Sequence, residues 1–359
     1  MARDRRHTRV VLLGTAGGAA TYPVRGGRGR VRSGIASALV MDGRVHLVDA
    51  GQGVARQLTL ADIGGQGPAR ALEPLRAVYL THLHSDHTMD LVNLLHCGYV
   101  QGWPSDGPVD IYGPGPRDSI PGVHARSGRD ARRTGSDLGT TGFVARLIDA
   151  FAADFDDRVS AAGRAEPVDL VRAHDVLPPE GAVDPSEGVR SRVEPWVVVD
   201  DGELRVTATL VDHGEMVPSL AYRFDTRDGS VVFSGDTAPS ENLIRLSQGA
   251  DVLVHEVIAS RYAEWQFGPG PLDDRQQRAV ATVMAKHTPT DQVGAIAQAA
   301  GVSALVLTHL VPASVPTSQW AAAVEGFDGE VVIGEDLLSI DVAAVAKGRG
   351  ALRRPRPRS

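Results

Sequence analysis

Cysteine is nearly absent from this 359-residue sequence, which excludes a scaffold held together by disulfides. Cys97 is the single cysteine, so no disulfide can form within the chain. Apolar runs of the roughly 18 residues that a membrane-spanning helix needs are also lacking. The basic start MARDRRHTRVVLLGTAGG contains only the short apolar run 10–13 before a glycine turn. This pattern favours a first strand over a signal peptide, and we expect a cytoplasmic protein.

An excess of positive charge is lacking as well. The chain has 44 acidic against 37 basic residues, a net charge of -7 and a pI near 5.9. The field of the whole molecule therefore does not favour nucleic acid, although a local basic patch can still bind it. The GTAGG turn lacks the GxGxxG pattern of a dinucleotide-binding fold. What remains is an ordinary globular composition, 42% hydrophobic, in a chain long enough for a large core.

Strand and helix patterns recur in both halves of the chain and predict a mixed α/β fold with two possible sheets. Hairpins are expected around Asp42-Gly43 and Asp228-Gly229, each between apolar runs. Helices are expected at 54–61 and at DQVGAIAQAA, which Gly301 should end. The stretch VVIGEDLLSIDV predicts one last strand.

The segment from about 116 to 200 differs from its surroundings. It runs from a polar, glycine-rich and basic stretch through a helical pattern to a loop with several carboxylates. We interpret it as an insertion or lid within a single domain that spans 8–342. Residues 343–359 end in the basic sequence KGRGALRRPRPRS and are expected to form a disordered tail.

The densest group of chemically active residues is THLHSDHTMD, residues 81–90. His82, His84 and His87 lie within six positions, with Asp86 among them. Histidine is scarce, and a chance HxHxxH pattern in a chain of this composition has a probability of roughly 1%. Imidazole and carboxylate are ligands that suit Zn²⁺ and similar metals. A metal site is therefore favoured over a solvated polar loop.

Further candidate ligands stand at the ends of apolar strand patterns. His213 ends LRVTATLVDH, Asp236 ends SVVFSGD, and His309 ends ALVLTH. Each of these alone is more often a core or surface residue. Together with the histidine cluster they form a coherent set, on loops that a rigid scaffold could position.

The order of these motifs resembles the metallo-β-lactamase superfamily over about residues 8–340. The resemblance rests on HLHSDH, an isolated later histidine, SGDT and a late histidine at a strand end. It implies a four-layer αββα sandwich with two divalent metal ions, zinc by preference and manganese as a possibility. The implied ligands are His82, His84 and His213 for one ion, and Asp86, His87 and His309 for the other, with Asp236 bridging.

Within that superfamily the chain is most similar to the ribonuclease Z branch, the tRNA 3′-processing endonucleases. DHGEMVPSLAYRF, DVLVHEV and HTPTDQVGAIAQAAGVSALVLTH carry the similarity. It implies that Glu256 and His287 assist proton transfer to the leaving group. Because two close cations lower the pKa of a water between them, we expect that water to ionise and Asp86 to orient the resulting hydroxide. Three features depart from the branch: its basic arm is not obvious, VPAS follows THL, and HEV replaces HEAT.

The expected function is thus a dinuclear-metal-dependent phosphodiesterase that acts on RNA. The alternative is a hydrolase on the same scaffold for small phosphodiesters, sulfate esters or lactones, which the acidic charge and the missing arm favour. A metal-bound protein without hydrolytic activity is a third reading, which a complete ligand set with a proton donor argues against. No membrane partner is expected, and the resemblance implies a homodimer.

Overall fold

The computed structural model describes residues 7–18, 31–63, 67–104, 106–117, 138–184, 188–348, 350 and 352–353. Within these residues, no helix is both long enough and apolar enough to cross a lipid bilayer. The expected αββα sandwich is confirmed: two large sheets face each other, and helices cover their outer faces.

The first sheet has eight strands in the order β17-β16-β1-β2-β3-β4-β5-β6. Their bounds are β1 Arg9–Gly14, β2 Ala36–Met41, β3 Arg44–Val48, β4 Leu75–Tyr79, β5 Val109–Pro114, β6 Val171–Val176, β16 Leu338–Asp341 and β17 Leu352–Arg353. The predicted hairpin at Asp42-Gly43 joins β2 to β3, and both residues have positive φ. Strands β3 to β6 then run parallel, so that their carboxyl ends share one edge.

The second sheet has seven strands in the order β15-β14-β13-β12-β11-β10-β9. These are β9 Trp196–Asp200, β10 Leu204–Leu210, β11 Leu220–Thr226, β12 Gly229–Phe233, β13 Val252–Ile258, β14 Ala304–Val311 and β15 Glu330–Ile333. The second predicted hairpin joins β11 to β12. A separate short pair is formed by β7 Val183–Asp184 and β8 Gly188–Val189.

Helices pack on both outer faces. The first sheet carries α1 Val54–Ala61, α2 Ser85–Thr88, α3 Leu91–Gln101, α4 Thr140–Ala150, α5 Ala152–Ala162 and α6 Pro167–Leu170, with a 3₁₀ turn at Pro68–Arg70. The second carries α7 Glu241–Ser247, α8 Tyr262–Phe267, α9 Asp274–Met284, α10 Thr290–Ala300 and α11 Thr317–Ala323, and the chain later forms α12 Val342–Ala346. Gly301 ends α10 at φ 64°, as predicted. Between the sheets lies a core of aliphatic and aromatic side chains such as Leu39, Tyr79 and Phe224.

One element prediction was wrong: the single last strand is two strands in different sheets. β15 pairs with β14 in the second sheet, whereas β16 pairs with β1 in the first. The intervening residues cross between the layers, and Leu337 adopts φ 67° there. Two short apolar runs lie on either side of this crossing turn. Their close spacing made the sequence pattern resemble a single strand.

The segment 116–200 supplies one of the two edge strands of each large sheet, β6 and β9, besides α4, α5 and α6. Its basic stretch 118–137 lies outside the described residues. The boundary expected at 342 falls at the start of α12, and β17 pairs with β16 further along. The last residues of the expected tail, 354–359, also lie outside the described part of the chain.

Candidate metal centre

The histidine cluster lies just beyond the carboxyl end of β4. That strand ends at Tyr79, so a loop presents His82 and His84. His84 is the residue before α2, and Asp86 and His87 lie on that short helix. The loop is fixed where Thr81 N–H donates to Asp49 Oδ1 at 2.8 Å and Leu220 N–H donates to the Thr81 carbonyl at 2.8 Å. The second of these bonds joins the loop to the second sheet.

A first donor group consists of His82, His84 and His213. His82 Nε2 lies 2.9 Å from His84 Nδ1, and His213 Nε2 lies 3.2 Å from that same His84 atom. One ring nitrogen from each residue falls within 4.8 Å of the others, which suits a shared cation. His82 and His213 are buried, while His84 is partly open to solvent.

A second donor group consists of Asp86, His87, Asp236 and His309. Asp236 is central to both groups, because its Oδ2 lies 3.3 Å from His309 Nε2, 3.7 Å from His213 Nε2 and 3.9 Å from His82 Nε2. Its Oδ1 lies 3.3 Å from His87 Nε2. A carboxylate in this position can contact two neighbouring cations.

His309 owes its position to a bulge in β14 rather than to the end of that strand. Thr308 pairs with Glu256 and Leu310 pairs with Val257, which leaves His309 unpaired between them at φ 43°. A bulge redirects a side chain out of the regular alternation. The strand then continues to Val311, two residues beyond the end expected from the sequence.

The glycine turn after β1 serves the centre directly. A Cβ on Gly17 would lie 2.6 Å from His309 Nδ1, so only glycine leaves room for that ring. The Gly18 N–H donates to Asp86 Oδ2 at 3.0 Å. The turn predicted at GTAGG is therefore part of the wall of the site.

The donor set fits divalent cations. His87 Nε2 and Asp236 Oδ1 are buried and have no hydrogen-bond partner among the described residues. Such groups are costly to bury unless something satisfies them. Histidine nitrogens and carboxylate oxygens together match the preference of Zn²⁺ and of related borderline metals.

Burial holds three of the donor histidines in the neutral form that binds metal, whereas at His87 burial is outweighed by the carboxylates of Asp236, Asp49 and Asp86, which raise the pKa of that ring. Burial lowers the pKa of His84 to about 4, and burial likewise lowers the pKa of His82 and of His213. Burial opposes ionisation of Asp86, but His87 and His309 outweigh it and hold the pKa of that carboxyl below its ordinary value. Neutral imidazoles and an ionised carboxylate are the ligand forms of these side chains.

Asp49 is a further candidate site residue, which the sequence pattern did not single out. Its Oδ2 accepts a hydrogen bond from His87 Nδ1 at 2.8 Å, which directs Nε2 toward Asp236. Asp49 sits directly after β3 at φ 61° and is buried. Metal-binding histidines commonly donate their other ring nitrogen to such a carboxylate. The signal in the sequence was the position of Asp49 after the apolar run VHLV, two residues before Gly51.

His287 and Glu256 form a pair at the rim of the centre. His287 Nδ1 lies 3.2 Å from Glu256 Oε2, and Glu256 Oε1 accepts the N–H groups of Thr288 at 2.8 Å and Thr237 at 3.3 Å. Burial lowers the pKa of His287, but Glu256 and Asp236 outweigh it and raise that pKa to about 9. His287 stacks near His309, at a ring-centroid separation of 5.6 Å.

The structure thus brings all nine predicted site residues into one cluster between the edges of the two sheets.

Known proteins resemble this chain over most of its length. The Beta-lactamase superfamily domain matches residues 152–310. Ribonuclease Z of Mycobacterium avium (strain 104) is 32% identical over 342 residues, which cover 93% of this chain and 98% of that protein. Ribonuclease Z of Mycobacterium sp. (strain KMS) is 30% identical over 336 residues, with 93% and 95% covered.

Solved structures share the fold at lower identity. The human short-form tRNase Z superposes with a TM-score of 0.57 at 21% identity, covering 93% of this chain and 99% of that one. The metallo-beta-lactamase fold protein YhfI from Bacillus subtilis gives a TM-score of 0.56 at 20% identity, with 92% and 98% covered.

Proposed function

Because the chain belongs to the ribonuclease Z family of the metallo-β-lactamase superfamily, we propose that it is a metal-dependent phosphodiesterase that cleaves RNA. The observation that carries this proposal is the placement of the His287–Glu256 pair beside the seven-residue donor cluster. The names of its relatives at 30% and 32% identity support it. The same placement supports hydrolysis rather than metal binding alone.

We assign two divalent cations to the donor cluster, with zinc as the first candidate and manganese as the second. His82, His84 and His213 would hold one cation, and Asp86, His87 and His309 would hold the other. The shared position of Asp236 between the two groups supports its assignment to both. Bound there, divalent cations would lower the pKa of water and neutralise negative charge that develops on a phosphate oxygen.

The protein's own groups would supply the remaining functions. Asp86 accepts the Gly18 N–H through Oδ2 and remains partly exposed, so its carboxylate can also accept a hydrogen bond from an attacking water. Glu256 holds His287 through Nδ1, which leaves Nε2 of that ring available to the leaving oxygen of the substrate. His287 therefore acts as the proton donor and Glu256 as the residue that positions it.

The test is cleavage of a 3′-extended precursor tRNA by zinc-loaded protein, with Asp86→Ala as the inactive comparison. Cleavage that requires Asp86, together with about two metal ions per chain, supports the proposal. Hydrolysis of bis(p-nitrophenyl) phosphate without any cleavage of RNA would instead place the activity with small esters. Failure to hydrolyse either compound, by protein with bound metal, contradicts the proposed chemistry.

A homodimer and a cytoplasmic location remain predictions. The mass of the protein in solution, measured by light scattering at several concentrations, tests the first, and fractionation of cells tests the second.

A further inference from the structure

Lys286 stands out because lysine is so rare in this chain. Lys286 and Lys347 are the two lysines among 37 basic residues, and the other basic residues are arginines. Lys286 directly precedes His287, and its carbonyl accepts the Nδ1–H of His213 at 2.9 Å. Its backbone carbonyl therefore orients a candidate metal ligand. The side-chain ammonium group takes no part in that contact.

The side chain of Lys286 lies across the turn that carries His213. A Cβ built on Gly214 would meet Cε of Lys286 at 2.9 Å, Cγ at 3.0 Å and Cδ at 3.3 Å. Gly214 has φ 64° and no side chain, so the lysine stem packs against the bare backbone of the turn. Within the described part of the chain, the Lys286 ammonium forms no ion pair.

Arg117 contacts the same turn from the first sheet. It follows β5, and its Nη2 donates to the carbonyl of Glu215 at 2.8 Å. Its Nε is buried and has no hydrogen-bond partner among the residues that the structure describes. Arginine has five donors, so besides the buried Nε–H and the N–H that Glu215 accepts, three N–H groups of this guanidinium remain.

Two cations thus border the turn His213–Glu215, next to the donor group of His82 and His84. The carboxylates in the same stretch are those of Asp212 and Glu215, both exposed, and Asp212 Oδ1 accepts the Gly214 N–H at 3.0 Å. Neither forms an ion pair with Lys286 or Arg117 within the described residues. The two cations are therefore not neutralised by direct contact.

We propose that Lys286 and Arg117 bind phosphate groups of the RNA chain that flank the scissile phosphodiester. This inference rests on the proposed function and specifies how an acidic protein holds a polyanion there. With a net charge of -7, the molecule as a whole repels RNA, so local cations beside the cleavage site must supply the attraction. Lysine suits this role as a compact charge on a flexible stem, and arginine as a fork of donors.

The first test measures binding and does not depend on catalysis. Fluorescence anisotropy reports the affinity of zinc-loaded protein for a fluorescein-labelled 3′-extended precursor tRNA, with a phosphorothioate at the scissile bond to slow cleavage, at several salt concentrations. Lys286→Ala should weaken binding several-fold and lower the slope of log K against log salt by about 1, as expected for one lost phosphate contact. Arg117→Ala should do the same, and Lys286→Arg should retain most of the affinity.

Lys347→Ala is the matched control, since it removes the other lysine and should leave both affinity and slope unchanged. With two lysines in the chain, acylation followed by mass spectrometry adds a direct readout. RNA should protect Lys286 from the reagent and leave Lys347 reactive. An unchanged slope in Lys286→Ala, or equal reactivity with and without RNA, overturns the inference.

Kinetics separate this inference from the proposed function. On bis(p-nitrophenyl) phosphate, which has no flanking phosphate, Lys286→Ala should lose much less kcat/KM than on precursor tRNA. On precursor tRNA the same variant should lose about tenfold, mainly through KM. An equal loss on both substrates would overturn the inference, because it indicates displacement of the candidate ligand His213. A loss on tRNA through kcat rather than KM would also overturn it, because it indicates displacement of the proton donor His287. If wild-type protein hydrolyses neither, the proposed function fails, while the binding and protection results still decide on Lys286.

Discussion

At the scale of single residues, His87 depends on a carboxylate outside the donor cluster. Asp49 accepts its Nδ1–H at 2.8 Å, and Thr81 Oγ1 lies within 3.1 Å of both oxygens of that carboxylate. An ionised partner fixes the tautomer of the ring and makes it a stronger ligand. Asp49 is buried, so its contact with His87 is shielded from bulk solvent.

We therefore predict that Asp49→Asn weakens metal binding and lowers kcat about 10–100-fold, although Asp49 touches no substrate. Competition with a chromophoric chelator measures the affinity. Asp42→Asn, a change at an exposed hairpin residue, serves as the control. Wild-type affinity in Asp49→Asn would contradict the positioning role.

A second prediction concerns His84, the partly exposed member of the first donor group. Its Nδ1 faces ring nitrogens of His82 at 2.9 Å and His213 at 3.2 Å. His84→Ala should lower the metal content per chain and reduce hydrolysis by more than the roughly 100-fold cost of an outer-shell change. Elemental analysis by mass spectrometry gives the metal content. His7→Ala, at an exposed histidine paired with Asp228, is the control, and unchanged metal in His84→Ala would refute the ligand assignment.

A third prediction separates proton donation from metal binding. His287→Asn should retain bound metal yet lose about 10²–10⁴ in kcat on RNA, whose leaving oxygen needs a proton. On bis(p-nitrophenyl) phosphate the loss should be much smaller, because p-nitrophenolate leaves without protonation. Glu256→Gln should show the same pattern more weakly. Equal losses on the two substrates would show that His287 does not act as the acid.

The residue scale also shows what a sequence can reveal about a site. The histidine cluster was predictable because its pattern is rare by chance, and the strand-end residues His213 and Asp236 were predictable because they form a coherent ligand set together with it. Asp49 was not, because many loop carboxylates follow apolar runs and nothing local marks the one that faces His87. Lys286 was hidden for a similar reason: its role depends on a turn 72 residues earlier, at Gly214.

At the scale of elements, β3 carries a buried histidine that makes the first sheet sensitive to acid. Burial lowers the pKa of His46 from 6.5 to about 4, with Arg44 and Arg76 adding to the effect and Asp201 opposing it. In the unfolded chain His46 takes up a proton near pH 6.5, its ordinary pKa. In the folded chain it stays neutral until much lower pH.

The sign of the pH effect follows. Above pH 6.5 the neutral His46 leaves the free energy of unfolding at its full value. As the pH falls from 6.5 to about 4, the unfolded state binds more protons than the folded state. Over that range, the contribution of His46 should lower the free energy of unfolding by about 1.4 kcal/mol for each unit by which the pH falls. His46→Gln should remove that component. Urea unfolding of both proteins, metal-free, at pH 7.5 and pH 5 measures it, and parallel pH curves would contradict the prediction.

Elements with local signals were predictable, and those decided by tertiary contacts were not. The helix at 54–61 and the glycine stop after α10 depend on neighbouring residues, and both were confirmed. The helical pattern at 141–159 is divided at Phe151, which separates α4 from α5. The stretch VVIGEDLLSIDV divides between the two sheets because its first strand pairs with β14 and its second with β1, strands that lie far apart in the sequence.

At the scale of the whole molecule, the centre joins the two sheets. His82, His84, Asp86 and His87 come from loops of the first sheet, whereas His213, Asp236 and His309 come from the second. Cations held by both sets would cross-link the layers at one edge. Loss of the metal would leave a buried group of imidazoles and carboxylates without partners for His87 Nε2 and Asp236 Oδ1.

We accordingly predict that metal stabilises the whole domain and not the loops alone. A ligand that binds only the folded state adds about 4 kcal/mol to the free energy of unfolding at 1,000 times its dissociation constant. Urea unfolding with chelator and with buffered excess zinc measures this difference, while circular dichroism and tryptophan fluorescence should report one shared transition. His84→Ala should show a smaller gain. Zinc that binds but leaves the unfolding curve unmoved would show that the two sheets hold together without it.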